Sequence, residues 1–226
     1  MTTTHELLET VEQETGAAPA WSILWLHGLG ADGHDFAPIV PELVRADWPA
    51  LRFVFPHAPV RAVTINNGVR MRAWYDIAGM DFATRADAAG IEASLVQVDA
   101  LIARELECGI APERLLLAGF SQGGAIALSA ALRRTRPLAG VIALSTYLPG
   151  MARAGSHLAE GAAAQPVFMA HGTADPVVPM IHAETSAQAL RQMGFNVDWH
   201  RYPMGHQVCA DEIRDLADWM SLRFAL

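Results

Sequence analysis

The 226-residue sequence contains no lysine. Its 16 cationic side chains are all arginine, against 24 Asp and Glu, for a formal net charge of −8. An acidic chain without clustered Lys and Arg lacks the electrostatic footprint of a nucleic-acid surface, so no nucleic-acid partner is expected. Cysteine is scarce, with Cys108 and Cys209 alone. That is too few for a disulfide framework, there is no Cys-x-x-Cys, and the nine His show no compact metal-ligand spacing. Neither disulfides nor a metal is therefore expected. No apolar run approaches the roughly 18 residues of a spanning helix, which argues against stable membrane insertion. The first residues, Met1-Thr2-Thr3-Thr4-His5-Glu6, hold no basic segment leading into an apolar one, so no signal peptide is expected. A cytoplasmic protein with reduced thiols follows as the expectation.

What is present points to a globular core. Hydrophobic residues make up 52% and charged residues 18%, below the usual ~25%, which excludes intrinsic disorder. A compact chain of this length buries about 70–75% of its unfolded surface and needs no staple. No internal repeat or linker interrupts it, and one domain over residues 1–226 is expected.

Short apolar runs at 21–26, 51–55, 115–118, 138–144 and 167–170 alternate with amphipathic stretches. Continuous apolar runs are how strands read when both faces of a parallel sheet are covered. Residues 196–202 alternate more, as a strand nearer an edge does. In 86–108, Ile91, Leu95, Val98, Ile102 and Leu106 recur at helical spacing, with Gly109 suited to the C′ position. In 208–224, Ile213, Leu216, Ala217, Met220 and Phe224 form a second apolar stripe. Alternating strands and helices predict a doubly wound α/β sandwich with a mostly parallel sheet and helices on both faces. In such folds sites lie beyond the carboxyl ends of the strands.

Gly119-Phe120-Ser121-Gln122-Gly123-Gly124 directly follows one apolar run and precedes the helix-forming stretch 125–132. A Gly-x-Ser-x-Gly between strand and helix lifts the serine above the sheet on a sharp turn, which makes Ser121 the candidate nucleophile. A serine hydroxyl needs a base. In this fold the chain order is Ser, then Asp or Glu, then His. His206, in the loop Tyr202-Pro203-Met204-Gly205-His206, satisfies that order and stands at a strand end. His171 precedes its own candidate acid, His200 lies within a strand pattern, His182 begins a helix and His157 has no motif around it. Asp175, just after the run 167–170, is the candidate acid, with Asp198 and Asp211 weaker.

Acyl transfer also needs oxyanion donors. One is the backbone N–H after the nucleophile, that of Gln122; the other comes from a loop after an earlier strand, here 27–33. That loop lacks the Gly-x-Gly-x-x-Gly spacing and no Lys follows it, so no nucleotide cofactor is expected. Cys209 reads as a small packing residue. Met71, Trp74, Met80, Leu148 and Met204 are apolar residues in loops that either line an acyl pocket or cover the core.

Several stretches resemble the bacterial carboxylesterase/phospholipase family, which includes the acyl-protein thioesterases. They are Leu26-His27-Gly28-Leu29-Gly30-Ala31-Asp32-Gly33, Pro56-His57-Ala58-Pro59, Val63-Thr64-Ile65-Asn66-Asn67-Gly68, Ala73-Trp74-Tyr75-Asp76-Ile77, Gly119 to Ala125, Leu138-Ala139-Gly140-Val141, His171-Gly172 with Asp175-Pro176-Val177-Val178-Pro179, and Met204-Gly205-His206. They follow the family's order from about residue 26 to 213. The resemblance implies an α/β-hydrolase with Ser121 as nucleophile, Asp175 as acid, His206 as base, and oxyanion donors on the backbone of Leu29 and Gln122. It departs at Ala62, where the family usually has Pro, so the pocket loop is less tied. A serine carboxylesterase for short- to medium-chain acyl esters is implied, open to thioesters and lysophospholipids. The alternatives are an acyl-protein thioesterase, whose partner is an acylated protein, and a non-catalytic binding module. No cofactor is implied, and the oligomeric state is left open, a homodimer included. The interval 145–165 is too short for a helical cap, which predicts an open cleft walled by Leu148, Trp74 and Met151.

Overall fold

The computed structural model describes residues 7–79, 81–82 and 84–225. Met80 and residues 1–6 lie outside the described residues. The chain runs β1 (Thr10–Glu14), β2 (Trp21–Leu26), α1 (Val40–Leu43), β3 (Leu51–Pro56), β4 (Val60–Val63), β5 (Val69–Arg72), α2 (Ala88–Glu107), β6 (Leu115–Phe120) and α3 (Gln122–Leu132). It continues through β7 (Gly140–Leu144), α4 (Met151–Ala154), β8 (Val167–Gly172), α5 (Met180–Gln192), β9 (Val197–Tyr202) and α6 (Ala210–Phe224). One seven-stranded sheet has the order β1-β3-β2-β6-β7-β8-β9. All its pairings are parallel except β1 with β3. β4 and β5 form a separate antiparallel hairpin.

Every residue of β2, β7 and β8 is buried, which is why these strands read as unbroken apolar runs. Leu24, Leu26, Leu115, Leu117 and Val141 pack on one side of the sheet with α2, α3 and α5. Their alternates Ile23, Trp25, Leu116, Ala118 and Ile142 pack on the other with α1 and α6. Each fully buried side chain of this kind contributes about 1.5–3 kcal/mol, so the two layers supply the fold's driving force. α2 is capped by Asp87, whose carboxylate accepts the Ala89 N–H at 3.0 Å, and it stops at Gly109, which has φ +92°.

Two elements escape the sequence pattern. β1 is a half-exposed edge strand whose Glu12 and Glu14 pair with Arg52, so it reads as a polar acidic segment. The hairpin β4–β5 is short and largely polar. The helix expected from His182 is α5, which begins two residues earlier at Met180 and buries four of its residues. The strand expected over 138–144 starts only at Gly140. The interval 145–165 holds no helix longer than the four residues of α4, so no helical cap stands there. No helix among the described residues is long and apolar enough to cross a membrane, and Cys108 and Cys209 are free thiols.

The loops that follow β2, β3, β6, β7, β8 and β9 all open at the carboxyl end of the sheet. They carry His27, His57, Ser121, Ser145, Asp175 and His206 respectively.

One buried acid makes the fold pH-sensitive. Glu212 stands in the first turn of α6 with no exposed surface. Its carboxyl oxygens have no well-formed hydrogen bond. Burial pushes its pKa up to about 8, against a smaller opposing pull from the Cys209 amide. Below about pH 4.5 both folded and unfolded chains carry the proton, and Glu212 adds no pH-dependent cost. As pH rises toward 8 the unfolded chain releases the proton while the folded chain must keep it, so stability is lost. Glu212→Gln should therefore gain stability over the wild type with rising pH, on the order of 4 kcal/mol between pH 4.5 and 8. Urea denaturation at stepped pH checks this; a difference that stays flat with pH contradicts it.

Candidate active site

Ser121 occupies the turn between β6 and α3 with φ +52° and ψ −117°, a conformation that side-chain-bearing residues rarely adopt. Two glycines make the turn possible. A methyl group on Gly119 would collide with the backbone of Gly123, and one on Gly123 would collide with the carbonyls of Leu26 and His27. The turn is pinned by the Ser121 N–H donating to Leu144 O at 2.9 Å and by the Thr146 hydroxyl donating to Ser121 O at 2.6 Å.

Loops at three strand ends bring the candidate triad together. The Ser121 hydroxyl donates to His206 Nε2 at 2.9 Å, and His206 Nδ1–H donates to Asp175 Oδ2 at 2.7 Å. The other Asp175 oxygen accepts the N–H groups of Val177 and Val178 at 2.8 and 2.9 Å. Burial alone would raise the Asp175 pKa, but the His206 hydrogen bond and the two amides override it and hold the carboxyl below its usual range. Asp175 thus stays ionised and fixes the His206 tautomer, leaving the Nε2 lone pair aimed at Ser121. The Phe120 ring lies 4.9 Å from the imidazole and packs against it.

His171 is brought to the same carboxylate from the other side, with Nε2 3.4 Å from Asp175 Oδ2. Its Nε2–H donates to Val178 O at 2.8 Å, and burial lowers its pKa. It therefore braces the Asp175 loop as a neutral ring, with no contact to Ser121 among the described residues. His200 stacks on Phe168, His182 stacks on Phe82, and Cys209 packs half-buried at the start of α6.

The loop after β2 is tied to its neighbours by hydrogen bonds. His27 is buried, its Nδ1–H donates to Gly28 O at 2.7 Å, and its Nε2 accepts the Ala58 N–H at 3.0 Å. Burial pushes its pKa down to about 4, so it is neutral. The Gly30 N–H is spent on Arg72 O, whereas the Leu29 N–H has no acceptor among the described residues. The Gln122 N–H opens α3, where first-turn amides lack intrahelical acceptors and the helix dipole favours negative charge. Leu29, Gln122 and Ser121 share one groove of about 250 Å³, walled by Ile65, Tyr75, Ile77, Arg85, Tyr147 and Val178. A second, more open hollow of about 410 Å³ lies on the His206 side, against Phe36, Ile39, Phe120 and Val208.

The expected pocket residues lie elsewhere. Trp74 is fully buried beneath the groove, and its indole N–H donates to His27 O. Leu148 is buried with its N–H on the Ser186 hydroxyl. Met204 is buried in the layer beneath α6, and its carbonyl accepts the Ala174 N–H beside Asp175. Met71 sits behind Asn66, whose amide approaches its sulfur at 3.3 Å, and Met151 is exposed outside the groove. Being apolar and in a loop does not distinguish a groove wall from the core beneath it. The residues missed, Ile65, Arg85, Tyr147 and Val178, come from four separate segments. Position just beyond β7 and β8 was a usable signal for Tyr147 and Val178; nothing in the sequence pattern marks Arg85.

Linear spacing does not reveal every grouping of potential ligand side chains in the fold. Asp32, His34 and His57 each offer a ligand atom within 4.8 Å of the others. They are far apart in sequence or separated by Gly33, so linear spacing hides them. Asp32 Oδ1 already accepts the His34 N–H, and His57 Nδ1 accepts the Gly33 N–H, so the group serves as bracing for the loop after β2.

A family profile described as Phospholipase/Carboxylesterase matches residues 8–223. The chain is 37% identical over 211 residues to acyl-protein thioesterase 1 of Neurospora crassa, covering 89% of this chain and 86% of that one. It is 36% identical over 216 residues to acyl-protein thioesterase 1 of Cryptococcus neoformans, covering 88% and 90%. Among solved structures it is similar to Arabidopsis thaliana SOBER1, with a TM-score of 0.84, 31% identity, and 90% and 98% coverage. It is likewise similar to acyl-protein thioesterase 2 of Zea mays, with a TM-score of 0.82, 27% identity, and 96% and 99% coverage.

Beneath the site, the Gln122 side chain joins the loop bearing Trp74 to α3. It accepts the Trp74 N–H and donates to Tyr75 O, both at 2.8 Å and both buried. Gln122→Ala leaves two buried backbone groups unpaired and should cost about 2–4 kcal/mol in urea denaturation. A loss below 1 kcal/mol would mean that the loop is held independently of α3.

Proposed function

The chain belongs to the phospholipase/carboxylesterase family, an enzyme family of α/β-hydrolase fold, and on that footing we propose that it is an acyl-protein thioesterase working through Ser121, His206 and Asp175. Family membership makes it a serine hydrolase acting on acyl esters or thioesters. The sequence alone ranked a carboxylesterase first. The names of relatives matched over nearly their whole length favour the thioesterase reading. The observation that carries the catalytic reading is the unbroken hydrogen-bond chain from Ser121 through His206 to a buried, ionised Asp175.

In the proposed reaction the Ser121 oxygen attacks the acyl carbonyl carbon while its proton passes to His206 Nε2. The carbonyl oxygen becomes an oxyanion and takes hydrogen bonds from the Leu29 and Gln122 amides. Asp175 stabilises the imidazolium without taking its proton. The tetrahedral species collapses, the carbon–sulfur or carbon–oxygen bond breaks, and His206 returns its proton to the departing thiolate or alkoxide. Water, deprotonated by His206, then attacks the acyl–Ser121 ester, releases the carboxylic acid and restores the serine. The leaving group must lie beside His206 to receive the proton, which assigns it to the hollow on that side. The acyl group then extends into the groove holding the two amides. At about 250 Å³ that groove is smaller than the ~300 Å³ lower bound of drug-sized sites, which favours short to medium acyl chains.

Ser121→Ala and His206→Ala should each lower kcat by about 10⁵–10⁶, and loss of Asp175 by about 10⁴. These values are read on an S-acylated peptide and on the p-nitrophenyl ester of the same acyl group. A higher kcat/KM on the peptide supports the thioesterase; a clear preference for the ester returns the small-molecule carboxylesterase. Retention of more than a tenth of activity by His206→Ala contradicts the base assignment.

A further inference from the structure

The acyl groove contains a cation that the reaction above does not use. Arg85 is 7% exposed and lines the same groove as Ser121 and Gln122. Its Nε–H donates to the Tyr147 hydroxyl at 3.1 Å, and that hydroxyl lies 3.4 Å from the Tyr75 hydroxyl. Its guanidinium carbon sits 3.4 Å over the Phe82 ring and 4.9 Å from the Tyr147 ring. Phe82 in turn stacks on His182. No carboxylate of the described residues forms an ion pair with Arg85, and its two terminal nitrogens make no hydrogen bond there. Among the partly buried arginines, Arg45, Arg52, Arg104, Arg133 and Arg134 pair with acids, whereas Arg61, Arg72 and Arg223 form no ion pair among the described residues.

A buried guanidinium is costly unless its charge is met. Two aromatic faces offset part of that cost and, with Tyr147, fix the orientation of the group. What stays unmet is the outer edge of the fork, the edge that binds a carboxylate through two parallel N–H···O bonds. Aliphatic walls from Ile65, Ile77 and Val178 accompany it in the groove.

We infer that Arg85 is a specificity subsite for an anionic group at the far end of the acyl chain, so that the preferred acyl group is a short aliphatic chain ending in a carboxylate. This rests on the proposed reading of Ser121 and on the acyl group occupying the Arg85 groove. The anion sits on the acyl side because the leaving group lies against His206, in the other hollow.

The test compares three thioesters: hexanoyl-N-acetylcysteamine, its adipoyl counterpart with a terminal carboxylate, and hexanoyl-3-mercaptopropionate, with the charge on the leaving group. The wild type should favour adipoyl over hexanoyl in kcat/KM. Arg85→Gln should lower that ratio about 10- to 100-fold, mainly through KM, as loss of hydrogen bonds to a charged group implies. Arg85→Lys keeps the charge without the fork, so its ratio should fall between the two. The hexanoyl-3-mercaptopropionate to hexanoyl-N-acetylcysteamine ratio should not follow the charge at residue 85. An unchanged adipoyl preference in Arg85→Gln overturns the inference, as does an equal fall on all three substrates, which would mark a purely structural arginine. A loss confined to the leaving-group anion also overturns it. In each of these cases the wild type still cleaves thioesters and the proposed function stands. If the wild type cleaves none of the three, the proposed function itself fails.

Discussion

The backbone turn at Ser121 couples more of this molecule than any other single feature. Its positive φ is tolerated because β6 delivers the chain from a central strand buried up to Gly119, and because α3 leaves immediately with its first turn pressed against the end of β2. The absence of a side chain on Gly123 lets the helix touch the carbonyls of Leu26 and His27. The same contact therefore sets where the loop after β2 begins, and with it the position of the Leu29 amide relative to that of Gln122. The candidate nucleophile, the Leu29 and Gln122 amides and a helix dipole are registered by one close approach of backbone to backbone, and none of them depends on a long flexible side chain.

Around that turn the electrostatics are arranged by burial as much as by charge. His27 and His171 are buried, and burial favours their neutral forms; each holds a loop through hydrogen bonds to backbone groups. Asp175 is buried too, yet stays ionised because His206 and two amides meet its oxygens. Of the three histidines near the chemistry, His206 alone touches the serine, and it is the one whose ring lies partly open to solvent, at 17% exposure. Two hollows flank Ser121 and His206; in the proposed reaction the one lined by Leu29, Gln122 and Arg85 takes the acyl group and the one beside the imidazole takes the leaving group.

Much of this was legible in the sequence, for reasons that differ by element. The central strands stand out because helices cover both faces of the sheet and leave no polar alternation. α2 and α6 carry a one-sided apolar stripe and are visible by period. α3 is buried all round, so only its glycine-rich entrance announces it. β1 is polar because its partners are arginines rather than core, and it has no apolar signature to read. The order of Ser121, Asp175 and His206 was visible because strand ends mark functional loops in this architecture, and the structure brings the three within hydrogen-bond reach. The groove walls were not, because Trp74, Leu148 and Met204 share the composition of wall residues yet face inward. Arg85 reads as one surface arginine among sixteen until the fold leaves it 7% exposed with no ion pair among the described residues.

The central claim is that this geometry makes Ser121 a nucleophile in the folded chain. Intact-mass and peptide mass spectrometry after treatment with a fluorophosphonate measures it directly. The account predicts a single adduct per chain, on Ser121, formed rapidly by the native protein and not by the urea-unfolded one, since only the folded state places His206 and the two amides around the oxygen. An adduct on another residue, or none on the native protein, would contradict it.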